Sequence, residues 1–189
     1  KILKYNDSKN VEIQFINTRF ETTVQLGNIK SGKVKDPYLP SVYGVGVLGT
    51  KYPSKINGVH TKEYKLWTGM LQRCYSDTLK KKRQTYIDCK VSDNFKSYEY
   101  FYEWCQKQVG FGNQGWHLDK DLLVKGNKLY SENTSAFIPA EINSVLVKSD
   151  KKRGEYLIGV CWLNTNKAFV AQVNMNNGKP EYLGSFKTE

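Results

Sequence analysis

The sequence predicts an α+β protein made of small modules that follow one another along the chain. The hydrophobic pattern alternates with a period of two near the start, changes to a helical period at residue 62, and returns to alternation after residue 154. These changes predict an N-terminal β-hairpin segment, two helices leading into a ββα unit, and a C-terminal three-stranded antiparallel sheet. The corresponding modules are expected at residues 1–60, 61–147 and 148–189.

The composition favours a polyanionic partner. Lysine and arginine total 29 against 18 acidic residues, which gives a formal net charge of +11, and 13% of the residues are aromatic. Cations displace counterions from phosphates and aromatic rings stack on bases, so nucleic acid suits this chain. We expect no membrane partner, because no long amphipathic helix segregates the lysines and no run resembles a membrane span or a signal peptide.

The cysteines argue against a structural metal. The four cysteines are widely spaced and form no CxxC pair, and the chain has two histidines. Structural zinc sites place cysteine and histidine ligands at short, regular spacings. We therefore expect no structural zinc and reduced cysteines, as in an intracellular protein.

The first module is predicted as a hairpin followed by irregular backbone. Apolar side chains alternate along residues 10–26 on both sides of a turn at Asn17-Thr18, which is typical of a β-hairpin. Residues 28–49 carry four glycines and two prolines, too many for a helix. The cations and rings of this stretch form either an arm that follows a phosphate backbone or a solvated loop: Lys30, Lys33, Lys35, Tyr38 and Tyr43.

Two helices are predicted in the second module. Apolar residues recur at helical spacing over residues 62–75, and the aromatic stripe that they form is typical of a core. A second helix is expected at about 94–108, with Ser92 or Asp93 as its N-cap. A cationic run at residues 80–83 falls in a predicted loop between the two helices.

The stretch at residues 116–143 carries the candidate chemistry. A strand-like run at 116–121 is followed by a turn at 125–127, a second hydrophobic run, and a helix that starts at Pro139. An acidic side chain on the first strand and an amide on the helix can together hold one divalent cation against a phosphate.

Asp119 lies near the end of the first strand, and Asn143 follows 24 residues later on the helix. In this pattern the stretch resembles the HNH (His-Me finger, ββα-metal) nuclease motif, and the helices before it are similar to the lead-in of phage HNH proteins. The resemblance implies that Asp119 and Asn143 bind Mg²⁺ or Mn²⁺ and that the activity is hydrolysis of a DNA phosphodiester. It also makes the cations before the motif candidate phosphate contacts: Arg73, Lys80, Lys81, Lys82 and Arg83.

Lys120 stands where the motif has its catalytic histidine. A lysine is normally protonated at neutral pH, so Lys120 could act as a base only if burial strongly favoured its neutral form, whereas binding a phosphate needs no such change. His117 is the nearest substitute base, because in a strand it shares a face with Asp119 while Lys120 points the other way. Alternatively, His117 packs against its neighbours or lies at the surface.

The third module alternates strongly, with Asn- and Gly-rich turns between three apolar segments. Its pattern, from Gly159-Val160 to Tyr182-Leu183-Gly184, resembles the sheet of the AP2/ERF DNA-binding domain, whose packing helix is either truncated or dispensable here. The implied contacts are Trp162, Lys167 and Gln172 from the sheet, with Lys152 and Arg153 on the phosphates. Alternatively, Trp162 packs in the core of the module.

Three hypotheses for the function follow. The first is a phage or mobile-element endonuclease, of the homing-endonuclease type, that cleaves duplex DNA in the host cytoplasm with a bound metal ion. The second is a catalytically degenerate descendant that binds duplex DNA or a host protein without cleavage, and Lys120 motivates it. The third is a protein-binding decoy whose aromatic surface meets a host partner.

Overall fold

In the computed structural model the chain divides into two compact units, Lys1–Ile138 and Pro139–Glu189. The structure describes residues 1–124, 126–146, 156–157, 159–174 and 180–188, with the backbone alone at 144–146 and 174. Helices and antiparallel sheets share the chain, which confirms the predicted α+β class. The boundary expected at the start of the third module lies outside the described residues.

The first unit begins with a three-stranded antiparallel sheet in the order β1-β2-β3, at Ile2–Tyr5, Val11–Gln14 and Glu21–Val24. The predicted hairpin is β2 with β3, and Val11 and Ile13 are buried on one face as the alternation requires. Strand β1 was not predicted, since all four of its residues are exposed and show no burial pattern.

The glycine-rich stretch after the hairpin is mostly irregular, as predicted. A short helix α1 at Leu26–Lys30 overlaps the start of this stretch, and a small hairpin of β4, Lys55–Ile56, and β5, Val59–His60, follows it. Helix α1 escapes sequence analysis because it has no buried residue and no side-chain cap.

Helix α2 covers Lys62–Tyr75, as predicted. Thr61 caps it by accepting a hydrogen bond from the backbone N–H of Tyr64. The predicted stripe faces the core, and its buried members are Trp67, Met70, Leu71 and Cys74. The predicted loop after α2 is wrong, because helix α3 occupies Asp77–Lys82 and contains most of the cationic run. Ser76 caps α3 through the N–H of Leu79, and this local signal outweighs the missing apolar stripe.

The second predicted helix is divided into α4, Asp93–Lys96, and α5, Tyr98–Gln106. Ser92 caps α4 as expected, and Ser97 caps α5. The break accommodates backbone from the first module. The N–H of Val47 donates to the carbonyl of Lys96, the last residue of α4, and the Val47 carbonyl accepts from the N–H of Tyr98, the first residue of α5. A contact that spans about 50 residues cannot be inferred from local periodicity.

Aromatic side chains from α2, α4 and α5 form the centre of the core. Phe95 lies 5.1 Å from Phe101 and 4.8 Å from Trp104 between ring centroids, and Trp67 Nε1 donates to the Phe95 carbonyl at 2.8 Å. Each such ring pair stabilises a core by roughly 0.5–1.5 kcal/mol beyond its buried area. Trp104 also lies 5.8 Å from Phe137, so this core supports the strands that carry the candidate site.

Two small sheets and a helix complete the predicted ββα region. Strand β6, Lys90–Val91, pairs in parallel with β8, Leu129–Tyr130, and β7, Trp116–Asp119, pairs with β9, Ala136–Pro139. Helix α6, Ala140–Leu146, follows β9 directly. The strand–strand–helix order is therefore present, but β7 pairs with residues 136–139 and not with the run after the turn.

The second unit contains the predicted three-stranded antiparallel sheet, in the order β10-β11-β12, at Val160–Leu163, Ala168–Asn174 and Pro180–Phe186. Trp162 pairs with Phe169, which in turn pairs with Phe186. Across the described residues of both units, no helix is long and apolar enough to cross a membrane.

Candidate functional site

Strand β7 exposes His117, half-exposes Asp119, and buries Leu118. Lys120, the next residue, is buried on the side of Leu118. This alternation confirms that His117 and Asp119 share a face and that Lys120 points away from it. The two side chains able to accept a proton or bind a cation therefore lie on the solvent side of the strand.

Lys120 is a buried cation, with 6% of the residue exposed. Its Nζ donates to Asp121 Oδ1 at 2.6 Å and to the Asn127 carbonyl at 2.7 Å, and it lies 5.8 Å from the centroid of the Tyr130 ring. Both hydrogen-bond partners are acceptors, so two N–H groups of the amine are used inside the protein, and burial keeps the amine away from solvent water and from a phosphate. This geometry gives Lys120 a structural role and argues against its use as a base or as a phosphate contact.

Asp119 closes the turn that follows β7. Its Oδ2 accepts hydrogen bonds from the backbone N–H groups of Asp121 and Leu122, both at 2.7 Å. This is the behaviour of an aspartate in a side-chain-capped turn. A carboxylate has lone pairs for about four partners. The turn uses two of them, so the Asp119 carboxylate is still chemically able to bind a cation.

Asn127 holds the other end of the same loop. Its side-chain Nδ2 donates to the carbonyls of Lys120, at 2.9 Å, and Leu129, at 2.6 Å. Its Oδ1 accepts the N–H of Leu129 at 3.0 Å, and its own N–H donates to the Val124 carbonyl at 3.1 Å. The loop between β7 and β8 is therefore tied at both ends by polar side chains.

Arg73 is half-buried near the end of α2, and its Nη1 donates to the Tyr130 hydroxyl at 3.4 Å. Burial raises the pKa of Tyr130 to about 12, although the neighbouring Arg73 charge acts in the opposite direction. Tyr130 thus meets two cations, Arg73 at its hydroxyl and Lys120 at its ring. Arg73 is directed to the side of β7 that carries Lys120, whereas Asp119 lies on the other side.

The implied metal ligands fall in different units. Asp119 belongs to the first unit, and Asn143 is half-exposed on α6 in the second. Carboxylate and amide oxygens are ligands that Mg²⁺ accepts, so the residue types fit such an ion. Within the described residues, no group of three or more His, Cys, Asp or Glu side chains is placed to hold a metal ion. The metal site stays a prediction.

Cations are grouped on α3 and on the paired strands β6 and β8, which the segment after α3 connects. After α3, a short 3₁₀ helix at Gln84–Tyr86 brings the Thr85 carbonyl to Lys128 Nζ, at 2.9 Å. The N–H of Lys90 donates to the Lys128 carbonyl at 2.8 Å, which joins the two strands at this point. We call the following residues the basic surface: Lys80, Lys81, Lys82, Arg83, Lys90 and Lys128.

No residue of the basic surface forms an ion pair with a described acidic residue. All of its residues are exposed except Lys80, which is half-buried. In the described part of the chain the ion pairs are Lys51–Glu103, Lys96–Asp93 and Lys120–Asp121, and none of these includes the basic surface. Surface cations without ion-pair partners attract polyanions and raise the rate of their association.

Trp162 of the second unit is partly packed and partly at the surface. The residue is 37% exposed, its ring centroid lies 4.8 Å from that of Phe169, and its Nε1 donates to Asn164 Oδ1 at 2.8 Å. One face of the ring therefore packs within the module while the remainder of the residue is exposed, and contact of Trp162 with DNA stays a prediction.

The other implied contacts of the second unit do not join Trp162 on one face. Lys167 is exposed in the turn after β10, with a φ of +48°. Gln172 is exposed, but it stands three residues beyond the partner of Trp162 on β11, and alternation places it on the opposite face. Lys152 and Arg153 lie outside the described residues.

Comparison of the chain with models of protein families, with curated proteins and with solved structures gave no match. The resemblances to the HNH motif and to the AP2/ERF sheet therefore rest on the residues named above. They support proposals about the function and do not assign a family.

Sequence analysis missed two cations of the basic surface and both partners of Lys120. Lys90 and Lys128 are single lysines in separate segments; the pairing of β6 with β8 brings them together, and the bond from Lys128 to the Thr85 carbonyl links them to the segment after the run at 80–83. Asp121 was placed in the first strand, and Asn127 was treated as a turn residue only. The sequence Asn127-Lys128 between two apolar runs indicates a turn, but it does not indicate that Lys128 bonds to the segment after α3 or that the Asn127 carbonyl bonds to Lys120.

Proposed function

We propose that the protein binds duplex DNA and that the basic surface of the first unit carries this binding. The observation behind the proposal is a set of six cations, on α3 and on the paired segments that follow it, that form no ion pair with the described residues. Lysine and arginine side chains that neutralise phosphates release counterions, which makes binding favourable without any base contact. Duplex DNA is the polyanion chosen because the chain resembles two families that act on it.

In this proposal the ββα region is a scaffold that has lost cleavage. Lys120 occupies the position of the motif's histidine, and its amine is committed to Asp121 and Asn127. A general base must be within reach of a water molecule and must have a lone pair to offer it. The protein is then a non-cleaving descendant of an HNH nuclease that occupies DNA.

Fluorescence anisotropy with a labelled duplex of about 30 base pairs, in EDTA, tests the binding. The proposal predicts binding that weakens as salt rises from about 50 to about 200 mM, with a slope of log K against log salt of about −3 or steeper. Absence of binding at the lowest salt, or binding that salt does not change, would contradict the proposal.

Metal-dependent cleavage is a second candidate, favoured by the shared face of His117 and Asp119. In this mechanism His117 accepts a proton from a water molecule that attacks phosphorus, and Asp119 contributes to holding Mg²⁺ or Mn²⁺ against the phosphate. The measurement is nicking of supercoiled plasmid with Mg²⁺, Mn²⁺ or EDTA. Nicking by the wild type that is lost in both His117→Ala and Asp119→Ala would establish this candidate over the first.

The variant Lys120→His separates the two candidates further. If the wild type does not nick the plasmid and Lys120→His does, the metal-binding site is intact and lacks only the catalytic histidine. If both are silent while both bind the duplex, binding alone is the function. Asp119→Ala, purified in the same way, controls for a contaminating nuclease.

A further inference from the structure

Three consecutive apolar side chains are exposed in the loop between β7 and β8. Leu122 is 41% exposed, Leu123 is 56% exposed and Val124 is 50% exposed. Single exposed apolar residues are common, but a contiguous group marks a surface that meets a partner. We call residues 122–124 the apolar loop.

The apolar loop is held in this exposed position by its polar neighbours. Asp119 Oδ2 accepts the N–H of Leu122 at one end, and the N–H of Asn127 donates to the Val124 carbonyl at the other. Lys120 links the two ends, because its amine bonds to both Asp121 and the Asn127 carbonyl. The buried lysine therefore has a consequence outside the core, since it fixes a short loop that presents apolar side chains to solvent.

Charge identifies the kind of partner. Asn127, which closes the apolar loop, is followed directly by Lys128 of the basic surface. Two acids lie beside the loop: Asp121 is paired with Lys120, and Asp119 accepts the backbone N–H groups of Asp121 and Leu122. A partner that meets both features has a dense negative exterior and an apolar interior within reach of two leucines and a valine. Duplex DNA has this construction, with phosphates outside and stacked bases inside.

We infer that the apolar loop inserts into the minor groove as a wedge between base pairs while the basic surface holds the adjacent phosphates. Side chains of this kind partially unstack a base step and kink the duplex, and pyrimidine–purine steps such as TA yield most easily. The inference rests on the proposed duplex binding and adds a mode of binding to it. The loop would select deformable sequences without hydrogen bonds to base edges.

The test uses a duplex of repeated TA steps in which several adenines are replaced by 2-aminopurine, whose fluorescence rises on unstacking. The test variants are Leu123→Ser and Val124→Ser. The matched control is Val109→Ser, at an apolar residue that is 86% exposed and lies before β7 instead of after it. All four proteins are titrated on the same duplex, and binding is measured separately by anisotropy.

The inference predicts that the wild type and Val109→Ser raise the fluorescence by about twofold or more at saturation. Leu123→Ser and Val124→Ser should each lose at least about half of this rise while they still bind with an unchanged salt slope. A rise that is equal in all four proteins, or absent in a wild type that binds, would overturn the wedge and leave duplex binding intact. No binding by any of the four would instead refute the proposed function.

A parallel titration with vesicles of phosphatidylserine and phosphatidylcholine covers the other polyanionic surface with an apolar interior. The inference would be overturned in favour of a membrane if the wild type binds the vesicles, Leu123→Ser does not, and the wild type leaves the 2-aminopurine fluorescence of the duplex unchanged. Absence of vesicle binding together with the fluorescence loss described above supports the wedge.

Discussion

Replacing Lys120 with methionine tests whether this side chain is a structural cation. Methionine keeps most of the buried stem but removes the ammonium and its hydrogen bonds, at 2.6 and 2.7 Å, to Asp121 and the Asn127 carbonyl. Asp121 is 49% exposed, so water replaces the lysine there at little cost. The Asn127 carbonyl and the loop that it closes lose their donor.

The magnitude follows from the kinds of group involved. Hydrogen bonds to charged groups contribute about 1.5–3 kcal/mol each. Because the bond to the exposed Asp121 is readily replaced by water, Lys120→Met should lower the free energy of unfolding by about the value of one such bond, about 1.5–3 kcal/mol. Lys120→Ala also removes the buried stem and should cost about 1–2 kcal/mol more. Urea denaturation followed by circular dichroism measures both. Lys81→Met, at an exposed lysine, should stay within about 0.5 kcal/mol of the wild type.

A Lys120→Met variant that is as stable as the wild type, to within about 0.5 kcal/mol, would refute this account of the side chain. The amine would then make no net contribution to stability through Asp121 and Asn127. A loss shared equally by Lys81→Met would instead show that general charge, and not the buried contacts, controls stability.

Three further predictions concern stability. Gly110→Ala should destabilise the protein by about 2–4 kcal/mol, because a side chain at a φ of +85° is strained and its Cβ would overlap the ring of Trp116. Gly112→Ala is the control and should have little effect, because a Cβ there meets open space. Thermal unfolding compares the two variants. Glu99→Ala removes the carboxylate oxygen that accepts two backbone N–H groups at 2.7 Å and should cost about 1–2 kcal/mol in urea unfolding, and an unchanged midpoint would count against that contact. Burial raises the pKa of Cys74 from 9.0 to about 12, so the thiol ionises at a lower pH in the unfolded chain than in the folded protein. The contribution of this thiol to the free energy of unfolding should therefore be complete below pH 9 and fall as the pH rises towards 12. Cys74→Ala should flatten this fall in urea midpoints measured across that range, and an equal pH dependence in both proteins would contradict the prediction.

The parts of the fold that sequence analysis predicted are those with a strong local period. Strand β2 and helix α2 each bury the apolar face that their spacing predicts, and β3 and the three strands of the second unit follow the alternation between turns that predicts strands. Helix α3 was missed because it buries no side chain and depends on a serine cap. The division between α4 and α5 depends on the backbone of Val47, which is far away in sequence.

The candidate site was predictable to the same extent. Strand alternation alone placed His117 and Asp119 on one face and Lys120 on the other. It could not show that Lys120 is matched by the Asn127 carbonyl, because this partner is a backbone group in a loop. It also could not assemble the basic surface, since Lys90 and Lys128 come together through the pairing of two very short strands and join the segment after α3 through the Thr85 carbonyl.

The most direct test of duplex binding through the basic surface compares two double variants that lose the same charge. Lys82→Ala/Arg83→Ala removes two cations of the basic surface, and Lys4→Ala/Lys9→Ala removes two exposed lysines from the N-terminal sheet region. Anisotropy titrations over a range of salt give the slope of log K against log salt for each protein. We predict that the first double variant lowers the magnitude of the slope by about 2 while the second leaves it unchanged. Equal slopes for the two double variants would contradict the account.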